Sequence, residues 1–119
     1  MKSGTLAVIA AGGILGALAR YGLGVLWPRA GDGFPWTTWA VNVSGCFLIG
    51  IVSVLVPNQG RLRLFLATGF LGGYTTFSTA MTDVVVSPTV IGIAYLFATV
   101  IGALLAVWAG SSLAVRLRR

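Results

Sequence analysis

The 119-residue sequence contains no histidine and no glutamate, and its only acids are Asp32 and Asp83. Most acid–base and metal-hydrolytic chemistry relies on those side chains, so an enzyme is excluded. A single cysteine, Cys46, precludes an internal disulfide. It lies in an apolar run with no histidine to activate it, and reads as a small packing residue rather than a nucleophile. Charge is scarce as well, at 8% of residues. What fills the chain instead is hydrocarbon, with 57% hydrophobic residues and a mean hydropathy of +0.97. A water-soluble domain of this length could not bury so much apolar surface. The sequence therefore describes an integral membrane protein of one domain, covering residues 1–119.

Four apolar spans emerge: Leu6–Leu26, Thr38–Val56, Leu62–Val86 and Thr89–Val115. Each is close to the roughly 20 residues needed to cross a bilayer as a helix. The expected fold is an all-α membrane protein with four transmembrane helices. The first span is too long for the apolar core of a signal peptide and lacks a convincing cleavage site, so it counts as a true span. Pro28, Gly31, Gly33 and Pro35 break the first loop, which Trp27, Trp36 and Trp39 bracket as interfacial aromatics. Loop two is Pro57 to Arg61, and loop three is minimal around Ser87-Pro88. A net charge of +6 in a soluble chain would suggest nucleic acid. Here the basic residues sit at span ends, where lipid headgroups and the positive-inside rule account for them, so no nucleic-acid partner is expected. With four spans, one side of the membrane holds Lys2, Arg61, Arg63, Arg116, Arg118 and Arg119, and the other Arg20 and Arg29. Six against two places both termini in the cytoplasm, and the composition fits a bacterial inner membrane.

Small residues mark where helices meet. Gly12, Gly13, Gly16 and Ala17 form a close-approach face on the first span, Gly45, Cys46 and Gly50 on the second, and Gly102, Ala103, Ala106 and Gly110 on the fourth. Four thin spans enclose little alone, so an oligomer is expected.

The stretch Gly69–Met81, GFLGGYTTFSTAM, is unlike the rest of the third span. A glycine pair, Gly72-Gly73, leads into Tyr74-Thr75-Thr76, a poor continuation for a helix. Non-helical backbone at membrane depth is tolerated only where it is buried in protein or lines a watery cavity. The third helix is therefore expected to break near its middle and to offer carbonyls and hydroxyls as a polar site. Other polar residues lie within the spans. Arg20 is either an interfacial side chain reaching for water or part of an electropositive vestibule. Asn42 fits an interhelical hydrogen bond as well as a pore-lining donor, and Ser44 can satisfy itself on its own helix. Tyr95 and Thr99, four apart, share a face that either packs or lines a polar track. Asp83 is expected at the membrane interface. Few acids, a basic residue, an amide and many hydroxyls suit an anion better than a cation. The positive edge of the Phe77 ring can also face an anion, although a lone Phe is ordinarily core.

Three motifs carry a resemblance. They are Gly12-Gly13-x-x-Gly16-Ala17-x-x-Arg20-Tyr21, Thr38-x-x-Val41-Asn42-x-x-Gly45-x-Phe47-x-x-Gly50, and Gly69-Phe70-x-Gly72-Gly73-x-Thr75-Thr76-Phe77-Ser78-Thr79. In this order and spacing, the chain resembles the fluoride channels of the Fluc (CrcB) family over nearly its whole length. The resemblance implies an antiparallel dimer of four-helix subunits with two narrow fluoride pores, exporting fluoride passively. It implies a structural, untransported Na⁺ at the dimer centre, held by the carbonyls of Gly72 and Thr75. Oxygen ligands suit such a hard cation. It makes Asn42 a pore donor and Arg20 a vestibule residue, with Phe77, Thr76, Ser78 and Thr79 along the pore and Tyr95 and Thr99 as a polar track. Fluoride is strongly hydrated, so close-set donors must replace its water.

Two features depart from the family pattern. Where a second Phe usually follows three residues after the first, this chain has Ala80. The charge bias also disfavours insertion in both orientations, pointing to a heterodimer with an oppositely oriented paralogue that supplies the missing ring. A small multidrug exporter, the first alternative, needs a buried Glu that the first span lacks. A non-transporting membrane scaffold subunit, the second, is compatible with composition but not with the three motifs.

Overall fold

The computed structural model describes residues 2–31 and 33–119, and Met1 and Asp32 lie outside the described residues. Every regular element among these residues is helical: α1 (Ser3–Leu26), α2 (Trp36–Leu55), a composite third span, and α6 (Thr89–Arg118). The third span opens with α3 (Arg61–Arg63), widens into a π-helix (Leu64–Leu71) and returns to α-helix in α4 (Gly72–Tyr74). It leaves helical geometry at Thr75 and Thr76 and resumes as α5 (Phe77–Val86). Helices α1, α2 and α6 are each long and apolar enough to cross a membrane, with mean hydropathies of 1.7, 1.8 and 2.5. The third helix is built from pieces, so the fold is four helices with the third broken, three of them long and apolar enough to cross a membrane.

The helices overrun the expected spans, α1 beginning at Ser3 and α6 continuing to Arg118. Hydropathy marks where the chain enters hydrocarbon, whereas a helix persists into the headgroup layer until its backbone finds another partner. Loop two ends on Gly60, whose φ of +117° is open to glycine and strained for other residues. From there Arg63 reaches back to donate a 2.8 Å bond to the Val56 carbonyl at the end of α2.

Helix α1 packs along the π-helix and α4, while α2 packs along α6. Glycine writes both seams. A methyl group on Gly12 or Gly16 would collide with the backbone carbonyls of Phe65 or Phe70, and one on Gly69 would lie 2.8 Å from the Ile9 carbonyl. In the other pair, a methyl on Gly50 would lie 2.5 Å from the Val107 carbonyl, and Gly110 abuts that of Phe47. Helices in lipid gain nothing from hiding apolar surface from each other, so backbone-to-backbone approach supplies the packing energy. Contacts between the two pairs are sparser, and the buried cluster of Val41, Leu71 and Tyr74 sits where they meet.

The break falls within the expected stretch, but the glycine pair does not cause it. Gly72 keeps helical angles (φ −62°, ψ −38°), and α4 contains both glycines. Gly73 is small because α1 demands it, its missing methyl being replaced by the backbone of Gly13. Departure begins at Thr75 (φ −79°, ψ 156°) and Thr76 (φ −146°, ψ 116°). β-Branched threonines lose little in extended backbone, and their hydroxyls compete for helical partners.

Candidate functional site

Around the break each backbone group has a traceable fate. The Leu71 carbonyl accepts from Thr75 N–H at 3.0 Å and from the Thr75 hydroxyl at 2.9 Å. The Gly73 carbonyl accepts from Arg20 Nε at 3.2 Å. Asn42, 8% exposed, clamps the next peptide from both sides: its Nδ2 donates to the Thr76 carbonyl at 2.9 Å, and its Oδ1 accepts from Thr76 N–H at 2.8 Å. One side-chain amide thus replaces the helical partners that Thr76 gave up. The Thr76 hydroxyl then caps α5 by accepting from Thr79 N–H at 3.1 Å.

Some backbone groups are left over. The carbonyls of Gly72, Tyr74 and Thr75 accept no hydrogen bond from the described residues. On the far side, the N–H groups of Phe77 and Ser78 open α5 without intrahelical acceptors. The negative end of one half-helix and the positive end of the other therefore meet at the break.

Three hollows surround it. One, of about 510 Å³, has Arg20, Tyr21, Thr37, Thr38, Thr76 and Thr79 among its lining residues, which puts the guanidinium and the break in a single vestibule. A second, more apolar groove of about 630 Å³ runs past Asn42, Thr76, Phe77, Ala80 and Thr99. A third, of about 220 Å³, carries Gly72 and Thr75 together with Gly45 and Cys46. Thr76 belongs to the first two, so its clamped peptide forms part of the wall between vestibule and groove.

The residues singled out from sequence thus divide. Arg20, Thr76 and Thr79 share the vestibule; Asn42, Thr76, Phe77 and Thr99 share the groove; Gly72 and Thr75 share the third hollow. Phe77 is 77% exposed, its ring uncovered within the subunit. Ser78 is also exposed and lies 3.4 Å from the Thr76 hydroxyl. Tyr95 stands apart. It is fully buried, with its ring edge-on to Phe34, and neither its hydroxyl nor that of Thr99 has a hydrogen-bond partner among the described residues. Ser44, set aside as self-satisfying, bonds both its own helix and the Tyr74 hydroxyl, the latter at 2.9 Å.

Sequence reasoning missed Arg29. Counted only as a loop charge, it pairs with Asp83 at 3.6 Å and donates to the Ser87 hydroxyl at 2.6 Å. Asp83 does lie at the end of the third span, as expected, but folded onto loop one with 14% of its side chain exposed. No periodicity links residues 54 apart, and only the opposite signs of these two charges could have suggested the pair.

A family model described as "CrcB-like protein, Camphor Resistance (CrcB)" matches residues 7–111. The chain belongs to the CrcB family. Among its relatives is "Fluoride-specific ion channel FluC 1" of Streptomyces coelicolor, 46% identical over 113 residues, covering 87% of this chain and 72% of the relative. "Fluoride-specific ion channel FluC" of Rhizobium meliloti is 44% identical over 116 residues, 89% of this chain and 92% of the relative. The protein of the same name from Chlorobium phaeobacteroides is 40% identical over 117 residues, 92% and 91% of the two chains. The CrcB match takes in Arg20, Asn42 and the whole of the break.

Proposed function

We propose that this CrcB chain is a subunit of a fluoride-selective channel that drains fluoride passively from the cytoplasm. The observation that carries the proposal is the interrupted third span, whose clamped break lies between a vestibule with Arg20 and a groove with Phe77. Relatives named as fluoride-specific channels match across these residues and support the ion's identity. Fluoride enters acidified cells as neutral HF and dissociates inside, so a channel suffices. Arg20 draws anions toward the vestibule. Beyond the Asn42–Thr76 wall, the free amide hydrogen of Asn42, the opening N–H groups and hydroxyls of α5 and the edge of Phe77 stand in for water. Thr99 and Tyr95, with hydroxyls that lack partners, extend this track.

The subunit works as half of an antiparallel dimer. The groove is open along Phe77, Val100 and Leu104, each at least half exposed, and an inverted second chain would close it. Structural sodium fits the same assembly. The free Gly72 and Thr75 carbonyls are hard oxygen donors beside an open hollow, and two inverted chains would offer four. The bias of six basic residues against two favours termini on the cytoplasmic side of the cell membrane, and so an oppositely oriented paralogue as partner rather than a second copy. A multidrug exporter is disfavoured by the absence of any Glu, and a scaffold would not need a hydroxyl-lined break.

Fluoride-electrode efflux from proteoliposomes tests the function. Efflux that requires this chain and falls in Phe77→Leu supports it, and none with either partner arrangement refutes it. Robust efflux from this chain alone, with molecules in both orientations, would refute the paralogue requirement.

A further inference from the structure

Helix α5 is an isolated ten-residue rod. Extended backbone at Thr75 and Thr76 separates it from α4, so no helical hydrogen bond fixes its direction. Three supports do. Asn42 holds its start through Thr76. Its middle rests on α6, where Ala80 is buried and a methyl on Gly92 would lie 2.7 Å from the Val84 carbonyl. Its far end is held, among the described residues, by a side chain from another part of the chain, Arg29 of loop one.

That grip is many-sided. The Arg29 guanidinium sits 3.6 Å from Asp83 Oδ1 and donates to Ser87 Oγ at 2.6 Å. Its Nε and Nη2 also donate to the Gly33 carbonyl at 3.1 and 2.9 Å, so loop one is closed by the same group. Asp83 lies in the last turns of α5 and Ser87 is the residue that closes it, so gripping both resists rotation about the helix axis as well as tilt. The pair is partly shielded, with side chains 24% and 14% exposed, so solvent weakens it less than an open surface pair. At the other end of the rod, Phe77 is uncovered and has no such anchor within the subunit.

We propose that Arg29 is a positioning residue, whose grip on Asp83 and Ser87 sets the rotation of α5 and thereby the aim of Phe77. The proposal rests on the channel function proposed above for its consequence, but its structural content can be measured separately. Arg29 touches no ion on this account and acts through the helix. A lysine could keep the charge pair but could not hold Gly33, Ser87 and Asp83 at once.

The test places 4-fluorophenylalanine at position 77 of the assembled channel and records the ¹⁹F resonance alongside fluoride efflux. Arg29→Gln and Asp83→Asn should each shift or broaden the resonance while the assembly stays intact on gel filtration. Efflux should fall about tenfold in Arg29→Gln but less than about twofold when Phe77→Leu is already present, because residues acting through one another are not additive. An unmoved resonance with unchanged efflux overturns the proposal. So does a loss of equal size in both backgrounds, which would mark a general weakening of the fold. If the wild-type assembly carries no fluoride yet the resonance moves, the positioning role stands and the channel function falls. Should Arg29→Gln fail to assemble, Ser87→Ala removes one of its partners alone, and a resonance that ignores this change also overturns the proposal.

Discussion

Replacing Asn42 by alanine separates two tasks that its position combines. Its amide makes both hydrogen bonds to the Thr76 peptide, at 2.9 and 2.8 Å, from a side chain that is 8% exposed. Two such bonds contribute about 1 kcal/mol each. If water stays out, that cost is replaced by the full penalty of leaving the Thr76 N–H and carbonyl without partners, about 1–3 kcal/mol apiece. The expected loss of stability is therefore about 2–6 kcal/mol, with the lower end applying if water enters the space the amide vacates. A residue serving only as a pore donor would lose conduction with little change in stability. The assay is paired: thermal unfolding of the purified assembly, followed by tryptophan fluorescence, and fluoride efflux from the same preparation. Alanine should lower both the melting temperature and the efflux. An alanine variant that melts like the wild type would refute the clamp, whatever its efflux.

Gly16→Ala should destabilise by at least about 1–3 kcal/mol, since the added methyl meets the Phe70 carbonyl, while Gly22→Ala, with open space around it, should be neutral or slightly stabilising in the same unfolding assay. Ala80→Phe should also destabilise the subunit, by about 1–3 kcal/mol, because position 80 is 2% exposed. If the proposed dimer holds structural sodium, replacing sodium with N-methyl-D-glucamine should lower the stability of the assembly and slow efflux. The same exchange should have no effect once the assembly is dissociated, and equal sensitivity in both forms would rule out a site at the dimer centre.

The sequence made the four helices legible because hydrocarbon thickness and hydropathy are local quantities. It also exposed the unusual third span, since glycines and hydroxyls are out of place there. What it misassigned was the division of labour. A glycine pair looks like a breaker, yet Gly73 is explained by a contact 60 residues away in sequence, with Gly13 of α1. The threonines that do leave the helix can do so because Asn42, 34 residues earlier, takes over the Thr76 peptide. Local propensity said that something must give; only tertiary contact decided where. Arg20 shows the same limit. It read as a side chain bound for water or as a vestibule charge, and it borders the larger polar hollow while also donating to the Gly73 carbonyl. Both roles use one guanidinium, and charge patterning registers only the first.

The two glycine seams explain why a break in one helix can matter to the whole subunit. Close backbone contact makes α1 with the first half of the third span one stiff body, and α2 with α6 another. Between them run few contacts, and several of those converge on the break: the Val41, Leu71 and Tyr74 cluster, the Ser44 bond to Tyr74 and the Asn42 clamp on Thr76. Helix α5 then continues the chain of the first body but rests on the second. Any relative movement of the two bodies must therefore be absorbed at Thr75 and Thr76, beside the unpartnered carbonyls of Gly72, Tyr74 and Thr75. An ion bound to those carbonyls would stiffen the one joint that packing leaves soft. On this basis sodium removal should loosen the backbone at Thr75 and Thr76 first, seen as faster amide hydrogen exchange there than along either seam, and exchange that rises uniformly would contradict it.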